Sequence, residues 1–163
     1  MHYQAALSLL MKKQNISIQT LACQTNFSER WLYFILHNSD WNPWLDTVLR
    51  LSKGLKVNAI TFIEYAETCK QQEILRTSAC NITPEQVSYA LKAVRLDLGL
   101  SQTTLAKLTH FQVPAISLRE QTRYQSYPAL STLEIYCKAF GITVSSFLRY
   151  ASSLTVMSEE AIS

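Results

Sequence analysis

The segments "ISIQTLACQTNFSERWLYFIL" and "LSQTTLAKLTHFQVPAISLRE" superimpose when the second is slid back by 84 positions, placing Ser17 on Ser101. At that shift Ala6 and Leu7 meet Ala90 and Leu91, Thr20-Leu21-Ala22 meets Thr104-Leu105-Ala106, and Thr25 and Phe27 meet Thr109 and Phe111. One residue is then inserted in the second copy. At a shift of 85, Pro43, Leu45, Thr47, Lys53, Phe62, Tyr65 and Ala66 meet Pro128, Leu130, Thr132, Lys138, Phe147, Tyr150 and Ala151. A unit of about 65 residues is a domain rather than a solenoid turn. Whatever the fold, it is therefore made twice, and each copy closes its own small core.

That core is helical. The chain has 3 glycines and 4 prolines, and no run alternates polar with β-branched residues as a half-buried strand would. Apolar residues spaced three and four apart, such as Ala6, Leu7 and Leu10, then Leu45, Val48, Leu49 and Leu55, line helical faces instead. Each unit parses into five short helices. In the second copy the first is "TPEQVSYALKAVRLDLG": Thr83 caps, Pro84 opens, Gln86 closes a capping box and Gly99 ends it. Helix two starts at the cap Ser17 or Ser101, helix three follows Phe27 or Phe111, helix four starts at Pro43 or Pro128, and helix five starts near Asn58 or Thr143. The expectation is an all-α chain with domains at 1–77 and 82–154 and a frayed acidic tail at 155–163. The joining segment Glu67 to Ile82 extends helix five at first and breaks near Ser78 to Asn81.

Composition excludes several functions. The 4 cysteines (Cys23, Cys69, Cys80, Cys137) make no C-x-x-C pair and sit in apolar helical patterns, as buried reduced thiols do. No apolar run reaches the roughly 18 residues of a membrane span, and the first lysines follow rather than precede the N-terminal apolar stretch. The expectation is a cytoplasmic protein. There is no phosphate-cradling glycine loop, no nucleophile-base constellation and no metal-spaced His/Cys cluster, so neither enzyme activity, cofactor nor metal is expected. The net charge of +3 permits a nucleic-acid partner without requiring one.

The second unit resembles the lambda-repressor-like, Cro/cI-type (xenobiotic-response-element) helix-turn-helix family. The residues that carry the likeness are Gln102 opening helix two, Leu105-Ala106 packing it, Phe111 in the turn, Ile116 in the helix-three core, Glu120 near that helix's end, and Arg95 in helix one. The likeness extends, more divergently, to the first unit. Physical reasons stand beside it. Two helices crossing steeply need a small residue at the contact, supplied by Ala22 and Ala106. The tight turn needs positive φ, which Asn26 and His110 tolerate where glycine is usual.

In that family helix three lies in the DNA major groove while the starts of helices two and three hold phosphate. The resemblance thus implies a sequence-specific, double-stranded-DNA-binding transcriptional regulator of a bacterium or mobile element, nucleoid-associated, its tandem units mimicking a dimer on half-sites about 34 Å apart. With Ile116 inward, Pro114, Ser117, Leu118 and Gln121 face the groove; Gln102, Thr103, Lys107, Gln112 and Arg123 are placed for backbone contacts. Arg119 stands where an apolar residue is expected, and snorkels or pairs with a nearby acid.

In the first unit, with Leu32 and Ile35 inward, Arg30, Tyr33, Phe34 and His37 face outward, with Ser17 and Gln19 on helix two. That face is more apolar than base reading requires. With Trp31 on its flank and Trp41 nearby, it is equally composed for a protein partner or homodimer, the alternative being a protein-interaction adaptor. Trp41 and Trp44 nearby enlarge that patch, the alternative being that Trp44 belongs to the helix-four core and Trp41 covers the loop.

Overall fold

Residues 2–68, 81–123 and 125–154 are described by a computed structural model. Ten helices and no strand element occur among them, so the chain is all-α. It divides into two compact units, Met1–Cys80 and Asn81–Ser163. The first holds α1 (Tyr3–Gln14), α2 (Ile18–Thr25), α3 (Glu29–Leu36), α4 (Leu45–Gly54) and α5 (Ala59–Thr68); the second holds α6 (Pro84–Asp97), α7 (Gln102–Thr109), α8 (Val113–Arg119), α9 (Leu130–Phe140) and α10 (Val144–Ser153). Of the expected break at Ser78 to Asn81, positions 78–80 lie outside the described residues, as does the tail at 155–163. Helix five does run past Glu67, to Thr68.

The repeat is written most clearly in the backbone. Among the described residues six have positive φ: Asn15, Asn26 and Lys56, then Gly99, His110 and Gly141. They pair off at the same shifts of 84 and 85 that align the sequences. Each unit therefore makes the same three left-handed turns, after helix one, helix two and helix four, and only the second uses glycine for two of them. Asn26 (φ 57°) and His110 (φ 59°) occupy the turn between helices two and three, as their chemistry predicts.

Helix starts are equally matched. Ser17 and Ser101 accept from the amides of Thr20 and Thr104 at 3.1 and 3.0 Å, and Ser28 and Thr143 cap α3 and α10 from Trp31 and Ser146. The capping box at Thr83 and Gln86 is complete, and the Gln86 amide nitrogen also donates to the Leu154 carbonyl at 2.7 Å, pinning the end of α10 to the start of α6. Helix four departs from expectation. It begins at Leu45 and Leu130, two residues after the prolines, because Trp44 and Ala129 hold extended backbone (ψ 151° and 147°) as N-caps. Trp44 is thereby carried out of the core and is 56% exposed.

Each core closes on its own helices. In the first, α1 packs on α3 and α5, and α2 on α3 and α4; in the second, α6 packs on α9 and α10, and α7 on α8 and α9. Leu7, Leu10, Leu21, Leu32 and Phe62 are sealed from water in the first, and Leu105, Ile116, Leu133, Tyr136 and Phe147 in the second. Of the cysteines, Cys137 is buried as expected, whereas Cys23 is exposed because it falls on the outer face of α2; Cys69 and Cys80 lie outside the described residues.

A close approach fixes one glycine. Thr25 donates its hydroxyl to the Leu21 carbonyl at 2.7 Å, as Thr109 does to Leu105, and that bond aims the Thr25 methyl at Gly54. A Cβ on Gly54 would overlap the methyl outright and press on Leu21 at 3.0 Å. The threonine cannot swing away without giving up its buried hydrogen bond. Gly54→Ala is therefore expected to destabilise the first unit by about 1–3 kcal/mol, despite alanine's better helix propensity. Trp31, Trp41 and Trp44 all lie in that unit, so urea unfolding followed by tryptophan fluorescence reads the shift directly.

Candidate nucleic-acid interface

Helix α8 has seven residues, and one of them, Ile116, is fully buried. Fixing that residue inward fixes the rest. Pro114, Leu118 and Gln121 are exposed, Leu118 at 49%, and Ser117 is half-buried beside them. Thr103 and Lys107 are exposed on α7, as are Gln112, the N-cap of α8, and Arg123 beyond its end. One outward face thus carries amide, hydroxyl and apolar groups flanked by two cations.

Beneath it lies a buried polar network. Arg95, from the end of α6, donates through Nε and Nη2 to the two Glu120 carboxylate oxygens at 2.6 and 2.8 Å, and through Nη1 to the Leu100 carbonyl at 2.7 Å. The ion pair is almost fully withdrawn from water. Its bidentate geometry holds the guanidinium charged, so the Arg95 pKa is raised even though burial opposes the charge. Gln102 Nε2 donates to the same carboxylate at 2.8 Å. The amide nitrogen expected to hold phosphate is thus already engaged, and Gln102 acts as a strut between α7 and the end of α8. The sequence marks all three residues singly and does not show their joining; its one signal is an arginine on the inward side of α6, which requires an acid.

Arg119 takes the snorkelling route. Its guanidinium lies 5.1 Å from the Phe111 ring centre, with a long contact of 3.4 Å from Nη1 to the Ala115 carbonyl. The Tyr136 ring packs against Phe111 at 5.4 Å, tilted by 43°, and burial pushes its phenol pKa up against the opposing pull of Arg119.

The first unit presents the same frame with different chemistry. Leu32 and Ile35 are buried; Arg30, Tyr33 (59%), Phe34 (60%) and His37 are exposed along α3, with Ser17 and Gln19 exposed at the start of α2. Ser17 spends its hydroxyl on the cap. Trp31 and Trp41 are half-buried, Trp31 packing on Phe27 at 4.5 Å with the rings tilted by 36° and meeting Trp41 edge-on at 6.3 Å. They close the loop after α3, so the exposed aromatic rings of α3 itself are Tyr33 and Phe34, with Trp44 exposed beyond the loop. The His37 ring stacks on Tyr33 at 4.1 Å and its Nδ1 lies 2.7 Å from the Tyr33 carbonyl, which can only accept, so Nδ1 carries the proton.

The polar network is gone from this unit as a set. Arg95, Gln102 and Glu120 align with Met11, Ile18 and Leu36. A second exchange is reciprocal: Arg119 and Ile135 align with Ile35 and Arg50, and Arg50, from α4, covers the Phe27 ring at 4.1 Å where Arg119, from α8, covers Phe111. Both turn phenylalanines keep an arginine lid, supplied by different helices. Among the described residues no cluster of three or more His, Cys, Asp or Glu side chains is placed to hold a metal ion, and no helix is long and apolar enough to cross a membrane. Comparison with protein-family models, curated proteins and solved structures returned no match.

Proposed function

We propose that the chain is a sequence-specific DNA-binding transcriptional regulator built from tandem lambda-repressor-like helix-turn-helix units, the second of which reads the duplex. One observation carries this reading. The serine-capped α7, the left-handed turn at His110 and α8 together bury Ile116 and turn Pro114, Leu118 and Gln121 outward, with Lys107 and Arg123 exposed on either side. Gln121 is suited to bidentate pairing with adenine, Leu118 to a thymine methyl, and the two cations to phosphates. A short helix with one buried side chain and two exposed apolar ones on its outward face, Pro114 and Leu118, has little reason to exist as packing alone. Its bond to the body through Glu120 gives that face a fixed orientation.

Incubating the full chain with random genomic fragments at about 100 mM salt, where phosphate contacts still operate, should enrich a single motif. Fragments recovered without any common motif, at every salt concentration tried, would overturn the reading.

A further inference from the structure

The first unit keeps the outward face of helix three but has lost what would hold phosphate beside it. At the positions of Lys107 and Arg123 it has Cys23 and, at the insertion, Asn38 or Ser39. What it has gained is aromatic area. Tyr33 and Phe34 are about three-fifths exposed, and with Arg30, His37 and Asn38 they line an open depression of about 530 Å3 along the helix.

We infer that α3 docks on α3 of a second copy of this chain, antiparallel across a two-fold axis near Tyr33 and Phe34. Charge selects this occupant. Arg30, in the first turn, makes no hydrogen bond or ion pair among the described residues, and at the other end of the same segment Asp40 is exposed, its carboxylate met only by the Ser39 hydroxyl at 3.5 Å. An antiparallel pair lays each Arg30 toward the partner copy's Asp40 end, so the two ends of the segment complement each other. The middle of the contact is then aromatic against aromatic. The stacked and hydrogen-bonded Tyr33–His37 pair is already held in place, so docking orders little that is not ordered beforehand. A duplex, by contrast, would meet Glu29 and Asp40 with no lysine on α2 to offset them. This contact is independent of DNA reading by the second unit.

Sedimentation velocity of the full chain, up to roughly 100 µM to capture a weak dimer, tests it. The wild type should move from monomer to dimer with concentration. Arg30→Asp and Asp40→Arg should each weaken the dimer by about tenfold or more, and the double variant Arg30→Asp/Asp40→Arg should restore it. Tyr33→Ala/Phe34→Ala, at exposed positions and with an unchanged far-ultraviolet spectrum, should leave a monomer that still enriches the same DNA motif. A wild type that stays monomeric throughout overturns the inference, as does a dimer indifferent to all four variants. Loss of motif enrichment in Tyr33→Ala/Phe34→Ala with no change of mass also overturns it and assigns the face to DNA. Failure of motif enrichment by the wild type, with the dimer intact, counts instead against the DNA reading alone.

Discussion

Arg95→Met alone should cost the second unit about 3–5 kcal/mol, because it leaves the Glu120 carboxylate buried without its cation. Removing all three polar partners together, as Arg95→Met/Gln102→Ile/Glu120→Leu, should recover that loss and leave the unit as stable as the wild type, or more stable by up to roughly 4 kcal/mol. The expectation rests on an exchange the chain itself displays, since Met11, Ile18 and Leu36 occupy the aligned positions of the first unit. Withdrawing two charges from water is expensive, and their attraction offsets that only while the geometry is complete: two parallel bonds to the carboxylate, one to the Leu100 carbonyl and one from Gln102. One missing partner leaves the desolvation cost standing. Three missing partners remove both sides of the balance and add apolar burial. Since every tryptophan lies in the first unit, circular dichroism follows both units while tryptophan fluorescence follows one. The prediction concerns the transition seen by dichroism and not by fluorescence. A triple variant no more stable than Arg95→Met would show that the methionine, isoleucine and leucine cannot pack in the second unit's frame.

The same exchange between units shows what was legible beforehand. Helix identities, caps and left-handed turns follow from local chemistry, and Ser17, Ser101, Thr83, Asn26 and His110 signal them within a few residues of sequence. The inward set on helix three was legible too, because burying Leu32 or Ile116 leaves a 3.6-residue period no freedom. Pairings across the fold were not. Arg95 and Glu120 lie 25 positions apart and meet only because α6 and α8 are brought together, and the Arg119–Phe111 lid depends on which of two helices supplies the arginine. Trp44 shows the limit from the other side. Its composition suits an exposed aromatic patch and the helix-four core alike, and only the cap conformation after Pro43, which turns it outward, decides between them.

If the second unit reads a duplex, Lys107→Ala/Arg123→Ala should weaken its binding by roughly 100-fold or more, since each charged contact to phosphate is worth about 1.5–3 kcal/mol. The loss should fall equally on cognate and unrelated DNA, and the slope of log affinity against log salt should become shallower by about two, one for each released counterion. Gln121→Ala should behave differently, because a base contact carries sequence information and little charge. It should cost about 1–3 kcal/mol on the cognate site, relax the preference at one base pair, and leave the salt slope unchanged. Both substitutions lie on exposed side chains, so folding is not at stake and fluorescence anisotropy of a labelled duplex at several salt concentrations separates them. Arg119 supplies the internal contrast: its guanidinium is committed to the Phe111 ring, so Arg119→Met should change the salt slope far less than Lys107→Ala although both remove one positive charge. Equal slopes for those two variants would mean that the duplex responds to the net charge of the unit rather than to the face of α8, and the assignment of that face as the reader would fail.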